Sequence, residues 1–373
     1  MVEQSDALKG RDERDERDER DRLASPAGDV RALSLAVRHD LVEQARIVYP
    51  RWRVIHAEIG RCHALRRLAG GPAEPPCLML VGPTGVGKSM LVGSYAQGYP
   101  PVVAADAAGE RTVRPVLLAP IPTPATVKGL AVALLLALGD PFATRGTVVT
   151  MTDRLTRYLA DCRVELLILD ELQHFVDRAS QRVLEDASNW LKLLLKTTRM
   201  ACVLVGLEHE AELLLRANAQ LGRLFGDPYA LAPFAWDDDR PETIAEFRRA
   251  LHEIERLLPL AEPSRLADRA TARRLFAASG GTLGLLMALL RRAAHRALEE
   301  GRERLDAEVL EVAFAHRLAG RRRGVANPFA APAAAGTAPL EGDDSALGER
   351  RPNGANRRGR APTPARASWR DVV

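Results

Sequence analysis

Nine residues constrain this chain more than any others: Val81-Gly82-Pro83-Thr84-Gly85-Val86-Gly87-Lys88-Ser89. The apolar run Cys77-Leu78-Met79-Leu80 precedes them and Met90-Leu91-Val92 follows. The spacing G-x-x-x-x-G-K-[ST] predicts a short buried strand that turns sharply into a helix. Gly82, Gly85 and Gly87 allow the tight turn, so that backbone N–H groups from Gly82 through Met90, with Pro83, Thr84 and Val86 filling the loop, surround phosphate oxygens at the helix N-terminus. Lys88 would reach the β- and γ-phosphates of a nucleoside triphosphate, and Ser89 would ligate Mg2+. The four fixed positions arise by chance in about 1% of chains of this length. The strand before them and the helix after them make chance rarer still. Among 53 basic residues, lysine occurs only at Lys9, Lys88, Lys128, Lys192 and Lys196. An arginine-biased chain thus keeps the compact ammonium where a planar guanidinium does not fit between phosphates.

At 373 residues and 46% hydrophobic composition the chain can build two folded domains with tails. No apolar run is long enough to span a membrane, and the charged N-terminal stretch lacks the apolar core of a signal peptide, so a soluble, cytoplasmic protein is expected. Cys62, Cys77, Cys162 and Cys202 are scattered, which points to buried small hydrophobes rather than to zinc or disulfides. The net charge is only +4, yet arginines crowd the C-terminal end, from Arg317, Arg321, Arg322 and Arg323 to Arg350, Arg351, Arg357, Arg358, Arg360, Arg366 and Arg370. Such a tail suits nucleic acid or an acidic partner, and equally a solvated segment with no partner.

The pattern along the chain divides it into five parts. Residues 1–29, with Arg-Asp-Glu triplets over 11–22, hold nothing that can form a core and are expected to be disordered or a solvated helix. Residues 30–76 predict helices over 31–48 and 53–68, broken at Tyr49-Pro50-Arg51, and then a Gly/Pro linker. Residues 77–260 alternate strands and helices. Beyond the loop strand and its helix, a loop over 98–111 is expected. Strands follow at 115–119, 164–169, 201–205 and 229–231, with helices over 123–138, 151–159, 183–196 and 241–258. Such alternation predicts an α/β fold with a parallel sheet covered by helices on both faces. Residues 261–329 show only helical spacing, over 264–278, 282–299 and 306–318, which predicts a small all-helical lid. The Ala/Pro/Arg-rich remainder, 330–373, reads as disordered.

The apolar strand Leu166-Leu167-Ile168-Leu169 ends on Asp170-Glu171. In a parallel sheet it delivers carboxylates to the same edge as the glycine-rich loop. Asp170 would hold Mg2+, directly or through water, and Glu171 would orient or deprotonate an attacking water, help worth about 10²–10⁴ in rate. His174 lies four residues after Asp170, which excludes the D-E-x-H helicase box.

In this order, with the helical C-terminal part, these elements resemble the AAA+ P-loop ATPases. In detail they look like the TniB/TnsC family of transposition ATPases, which act beside a DDE transposase. The resemblance runs from about Ile47 to Phe329. It rests on Ile47-Val48-Tyr49-Pro50-Arg51, the P-loop, Arg114-Pro115-Val116 with residues 122–132, and Asp170-Glu171-x-Gln173-His174. It continues through Asn189-x-Leu191-Lys192, Val205-Gly206, Gln220-Leu221, Gly281-x-x-Gly284 and Asn327-Pro328-Phe329. It implies ATP and Mg2+ as cofactors, a homo-oligomeric ring or filament, and double-stranded DNA as a partner. A DDE transposase, and a target-selection protein beside it, would be the protein partners.

The chain departs from the family pattern twice. Leu207 follows Gly206, where the family carries a polar sensor of the γ-phosphate. In Gln220-Leu221-Gly222-Arg223-Leu224-Phe225 the arginine stands one place before its usual position. The expectation is slow, assembly-dependent ATP hydrolysis, with Arg223 acting in trans and Arg216 as its alternative. For DNA the resemblance points to Lys128, with Arg111 or Arg114 nearby. A replication-initiator or helicase-loader ATPase, and a nucleotide-gated signalling scaffold without a DNA role, are the alternative functions.

Overall fold

A computed structural model of the chain describes residues 30–67, 74–106, 109–172, 181–322 and 325–330, which fall within one compact unit. The Arg-Asp-Glu repeat, Gln173, His174, Arg323 and the arginines from Arg350 onward lie outside the described residues. The described residues hold seven strands: β1 Cys77–Val81, β2 Val102–Asp106, β3 Gly109–Val113, β4 Val116–Pro120, β5 Leu166–Asp170, β6 Ala201–Gly206 and β7 Tyr229–Ala230. Five of them form a parallel sheet in the order β4-β5-β6-β1-β7, while β2 and β3 pair separately as an antiparallel hairpin. The P-loop strand β1 and the acid-bearing strand β5 are therefore not neighbours, because β6 lies between them.

The strands form where they do because both sheet faces are buried. Successive side chains of a strand point to opposite faces. One core takes Leu78, Leu80, Leu166, Ile168, Val203 and Val205, and the other takes Met79, Val81, Leu167, Leu169, Cys202 and Leu204. Each fully buried aliphatic side chain contributes roughly 1.5–3 kcal/mol, so neither face tolerates a polar residue in mid-strand.

The second of these cores is covered by α4 Val127–Leu138, α5 Val148–Asp161, α6 Gln181–Thr198, α7 Glu208–Ala217 and α8 Ala219–Phe225. Against the first pack α1 Leu35–Gln44, α2 Pro50–Arg66 and α3 Lys88–Gln97. The C-terminal helices α9 Pro241–Leu257, α10 Arg269–Ser279, α11 Leu283–Glu299 and α12 Ala307–Arg317 join the same core. Pro50 opens α2 at its first turn, where a missing N–H costs nothing. No helix among the described residues is long and apolar enough to cross a membrane.

The structure corrects the sequence reading at five places. The helix expected over 31–48 is confined to α1, where the Ser34 side chain caps the first turn by accepting from Val37 N at 3.4 Å. The loop expected over 98–111 contains the β2–β3 hairpin, which the pattern hides because Val102 and Val103 are 57% and 65% exposed. Helices α7 and α8 occupy a stretch for which no element was predicted. Helix α4 begins at Val127 rather than at 123, since the Thr126 side chain caps it by accepting from Gly129 N at 3.0 Å. Helix α10 begins at Arg269 rather than at 264. The Glu255 carboxylate takes the N–H groups of Arg265 and Leu266 at 2.7 and 3.0 Å and so holds that segment in a turn.

Candidate nucleotide site

The P-loop turns at the carboxyl edge of β1. Gly87 sits in the left-handed region, φ 102°, and precedes α3 without any side-chain cap. The first N–H groups of α3 are therefore left to whatever enters the cleft in front of them, with the positive end of the helix dipole behind them. Lys88 folds back over the loop and donates to the carbonyls of Gly82 and Pro83 at 2.6 and 3.0 Å. Burial lowers the pKa of its ammonium, while Asp170 and Glu210 act in the opposite direction. An arriving polyphosphate would stabilise the charged form more strongly still.

Asp170 ends β5 and accepts the Glu171 N–H on Oδ1 at 2.8 Å. Glu171 is a non-glycine residue at φ 67°. Its flanks over-determine that strained backbone, because Ile121 N donates to Asp170 O at 2.8 Å and Leu172 N to Val205 O at 2.9 Å. The result is an exposed carboxylate held on the wall of the cleft. Ser89 is exposed on the same cleft. A serine hydroxyl and an aspartate carboxylate are the hard oxygen donors that suit Mg2+ with phosphate and water completing the shell.

The cleft has a volume of about 600 Å3, and its far wall is helical. Gly284, near the start of α11, donates its N–H to Gly85 O at 2.7 Å. A Cβ at Gly284 would stand 2.9 Å from that oxygen, so only glycine lets the helix touch the loop. Arg291 lies seven residues on, two turns along the same face, and Met287 and Ala288 fall between. Arg291 donates to Ala45 O at 2.9 Å. Arg292 and Arg317 also line the cleft and have no hydrogen bond or ion pair among the described residues. Glu43 of α1 closes the end of the cleft. His295 donates to it at 2.7 Å, and that bond, with Arg291 and Arg317 nearby, holds its carboxyl below the usual range. Lys88, Asp170 and Glu171 on the loop side and Glu43, Arg291, Arg292 and Arg317 on the helical side thus line one space of nucleotide size.

The structure brings together Thr84, Gly85, Gly87, Lys88, Ser89, Met90, Asp170 and Glu171, all predicted from sequence, and adds Glu43, Arg291, Arg292, His295 and Arg317, while Gly82 and Pro83 line an adjoining cavity and Val86 is buried beneath the loop. The signal for Arg291 was its seven-residue spacing from Gly284, which means nothing until Gly284 is known to touch the loop. Leu207 lines the cleft with an aliphatic side chain, and its N–H donates to the buried Glu210 carboxylate at 3.3 Å. Tyr49 does not line the cleft. It is buried, with its phenol pushed up to about 12, and packs on Phe234. Arg51 instead ties α2 to Glu246 at 2.7 Å.

Arg223 lies outside the cleft. It is exposed on α8 without a partner among the described residues, whereas Leu224 beside it is only 9% exposed and packs in the core. Arg216 pairs with Glu212 at 3.2 Å. Lys128 is exposed in the first turn of α4, also without a partner among the described residues. Arg111 is half-buried on β3, and the Arg114 guanidinium donates to Ala137 O at the end of α4.

Among solved structures the chain is similar to Cdc6p from Pyrobaculum aerophilum, with a TM-score of 0.53 and 17% identity over 74% of this chain and 69% of that one. It is also similar to the ORC2 protein of Aeropyrum pernix, with a TM-score of 0.49 and 19% identity over 69% and 67% of the two chains. The first likeness is one of fold, a five-stranded parallel sheet with helices packed on both faces. No curated protein matches the chain. The family described as Bacterial TniB protein matches residues 39–234, more than half of the sequence, and the chain belongs to the TniB family.

Proposed function

We propose that the protein is an ATP-dependent, DNA-binding regulator of transposition. With ATP it assembles on target duplex and recruits or activates a transposase, and slow hydrolysis resets it. The observation that carries this reading is the cleft itself. An uncapped helix N-terminus on one wall and Arg291, Arg292 and Arg317 on the other can grip one polyanion from both sides. ATP would thereby fix α11 and α12 against the sheet and set the shape that a second subunit meets. Membership of the TniB family supports the role in transposition.

Within the site, Lys88 would leave its two carbonyls for the β- and γ-phosphates. Ser89 and Asp170 would hold Mg2+, which supplies charge neutralisation on the phosphates when bound. Glu171 would orient the attacking water and accept its proton. Leu207 offers no hydrogen bond to a γ-phosphate, and each subunit's own Arg223 lies outside its cleft. Arg223 would reach a neighbour's site in the assembly, where such an arginine is worth about 10³–10⁵ in turnover. Slow hydrolysis by the isolated subunit follows from both features.

Electron microscopy and sedimentation of the full chain with ATP or a non-hydrolysable analogue, with and without duplex, test the reading. Rings or filaments that need both nucleotide and duplex are expected. Assembly that ignores DNA would favour a signalling scaffold instead. Arg292→Ala should weaken nucleotide binding by about tenfold, the loss of one charge-assisted contact. Unchanged affinity would remove that wall from the site.

A further inference from the structure

A second cavity, of about 800 Å3, opens at the opposite, amino-terminal edge of the sheet. Three segments build it: the end of α2 with Arg66 and Arg67, the α5–β5 turn with Arg163, Val164 and Glu165, and the end of α6 with Thr197 and Thr198 followed by Met200 in its turn into β6. Its charge is unbalanced, with three guanidinium groups lining it against the single carboxylate of Glu165. That carboxylate is already committed, since one oxygen takes Arg67 Nε at 2.6 Å and His63 Nε2 at 2.8 Å. Among the described residues Arg66 Nε is buried without a hydrogen-bond partner and the Arg163 side chain has none either. An orphaned buried guanidinium nitrogen costs free energy unless something answers it.

The backbone at Arg163 is a second, independent observation. Arg163 N donates to Ala160 O at 3.0 Å and Val164 N to Leu159 O at 2.9 Å, the paired bonds that end a helix through a left-handed residue. Glycine is the usual occupant of that position, yet here an arginine holds φ 51°. A side chain is kept at a place where it costs about 1 kcal/mol. Leu159, Ala160, Val164 and Met200 supply apolar lining beneath the arginines.

We propose that this cavity is a docking pocket for an acidic peptide segment of a partner protein, in which Arg66 and Arg163 grip a carboxylate and the apolar lining takes an adjoining aliphatic side chain. Forked guanidinium groups match carboxylate geometry. A concave cavity with an apolar floor suits a chain segment, whereas a duplex presents its phosphates on a convex, wholly polar surface. The pocket is remote from the P-loop, so its occupancy does not depend on the nucleotide reading.

The test uses the full chain and a fluorescein-labelled six-residue peptide of alternating aspartate and leucine, followed by fluorescence anisotropy. Saturable binding is expected, reduced at least tenfold in Arg66→Ala/Arg163→Ala and untouched in Arg273→Ala/Arg274→Ala, which removes two exposed arginines of α10. Binding of a fluorescent ATP analogue reports that each variant is folded. Arg163→Gly relaxes the backbone and should still lose most of the peptide affinity, so poor folding of the double variant leaves the test intact. Equal binding by wild type and Arg163→Gly overturns the proposal. Displacement of the peptide by inorganic pyrophosphate or by duplex DNA as readily as by unlabelled peptide overturns it as well.

Discussion

Glu171 shows how a single residue combines function with strain. Its left-handed backbone costs about 1 kcal/mol in an L-residue, and the bonds of Ile121 and Leu172 on either side enforce it. Glycine meets no such cost, so Glu171→Gly should raise the denaturation midpoint while hydrolysis by the assembled protein falls about 10²–10⁴-fold. Urea titration beside a phosphate-release assay checks both halves. A lower midpoint would show that the side chain stabilises the fold more than its backbone strains it. His63 offers a second residue-scale test. Its ring is almost fully buried between Tyr95 Oη at 2.9 Å and Glu165 at 2.8 Å, and burial holds its pKa below the ordinary value despite the opposing pull of that carboxylate. A depressed histidine must take up a proton on unfolding, so its contribution is fully present above about pH 6.5 and is lost as pH falls towards the lower folded value. His63→Gln should flatten the slope of the urea midpoint in the range just below about pH 6.5. An unchanged slope would mean that other groups govern acid stability.

At the scale of elements, the contact between α11 and the P-loop is the feature on which the cleft depends. A methyl group at Gly284 would meet Gly85 O at 2.9 Å, so Gly284→Ala should push α11 off the loop and weaken nucleotide binding by about tenfold. Gly93 is the control. It lies inside α3 with nothing within 4 Å of a built Cβ, and Gly93→Ala should stabilise the protein by about 0.5–1 kcal/mol without changing affinity. Calorimetric titration of both variants separates a lid contact from a general helix effect, and equal affinities would deny the contact any role. The same elements show what the sequence made legible. Strands β1, β5 and β6 were readable because burial on both faces leaves near-continuous apolar runs, and the P-loop and Asp170-Glu171 because their chemistry is local. The exposed β2–β3 hairpin has no core-facing pattern to read. Arg291 and Arg292 were equally hidden, since their meaning depends on a contact between residues 85 and 284, about 200 positions apart.

For the whole molecule the open physical question is where a duplex would lie. A net charge of +4 on 373 residues is too small to bind DNA by diffuse attraction, so local clusters must supply the contacts. The sequence offered three candidates, and the structure distinguishes them by what their side chains already do. The Arg114 guanidinium closes the end of α4 on Ala137 O. Arg111 stands half-buried on the hairpin. Lys128 is exposed and unpartnered among the described residues, beside the N-terminal N–H groups of α4. A phosphate there would meet a cation and a helix dipole together. Filter binding of a random-sequence duplex in the presence of a non-hydrolysable ATP analogue, from about 50 to 200 mM salt, reads the number of neutralised phosphates from the slope of log affinity against log salt. Lys128→Ala should make that slope shallower by about 0.9 for each phosphate that a subunit no longer neutralises. Arg114→Ala should lower thermal stability and leave the slope alone, because its bond is internal. If Lys128→Ala keeps the wild-type slope, the duplex does not pass this edge of the sheet, and the hairpin bearing Arg111 becomes the surface to probe.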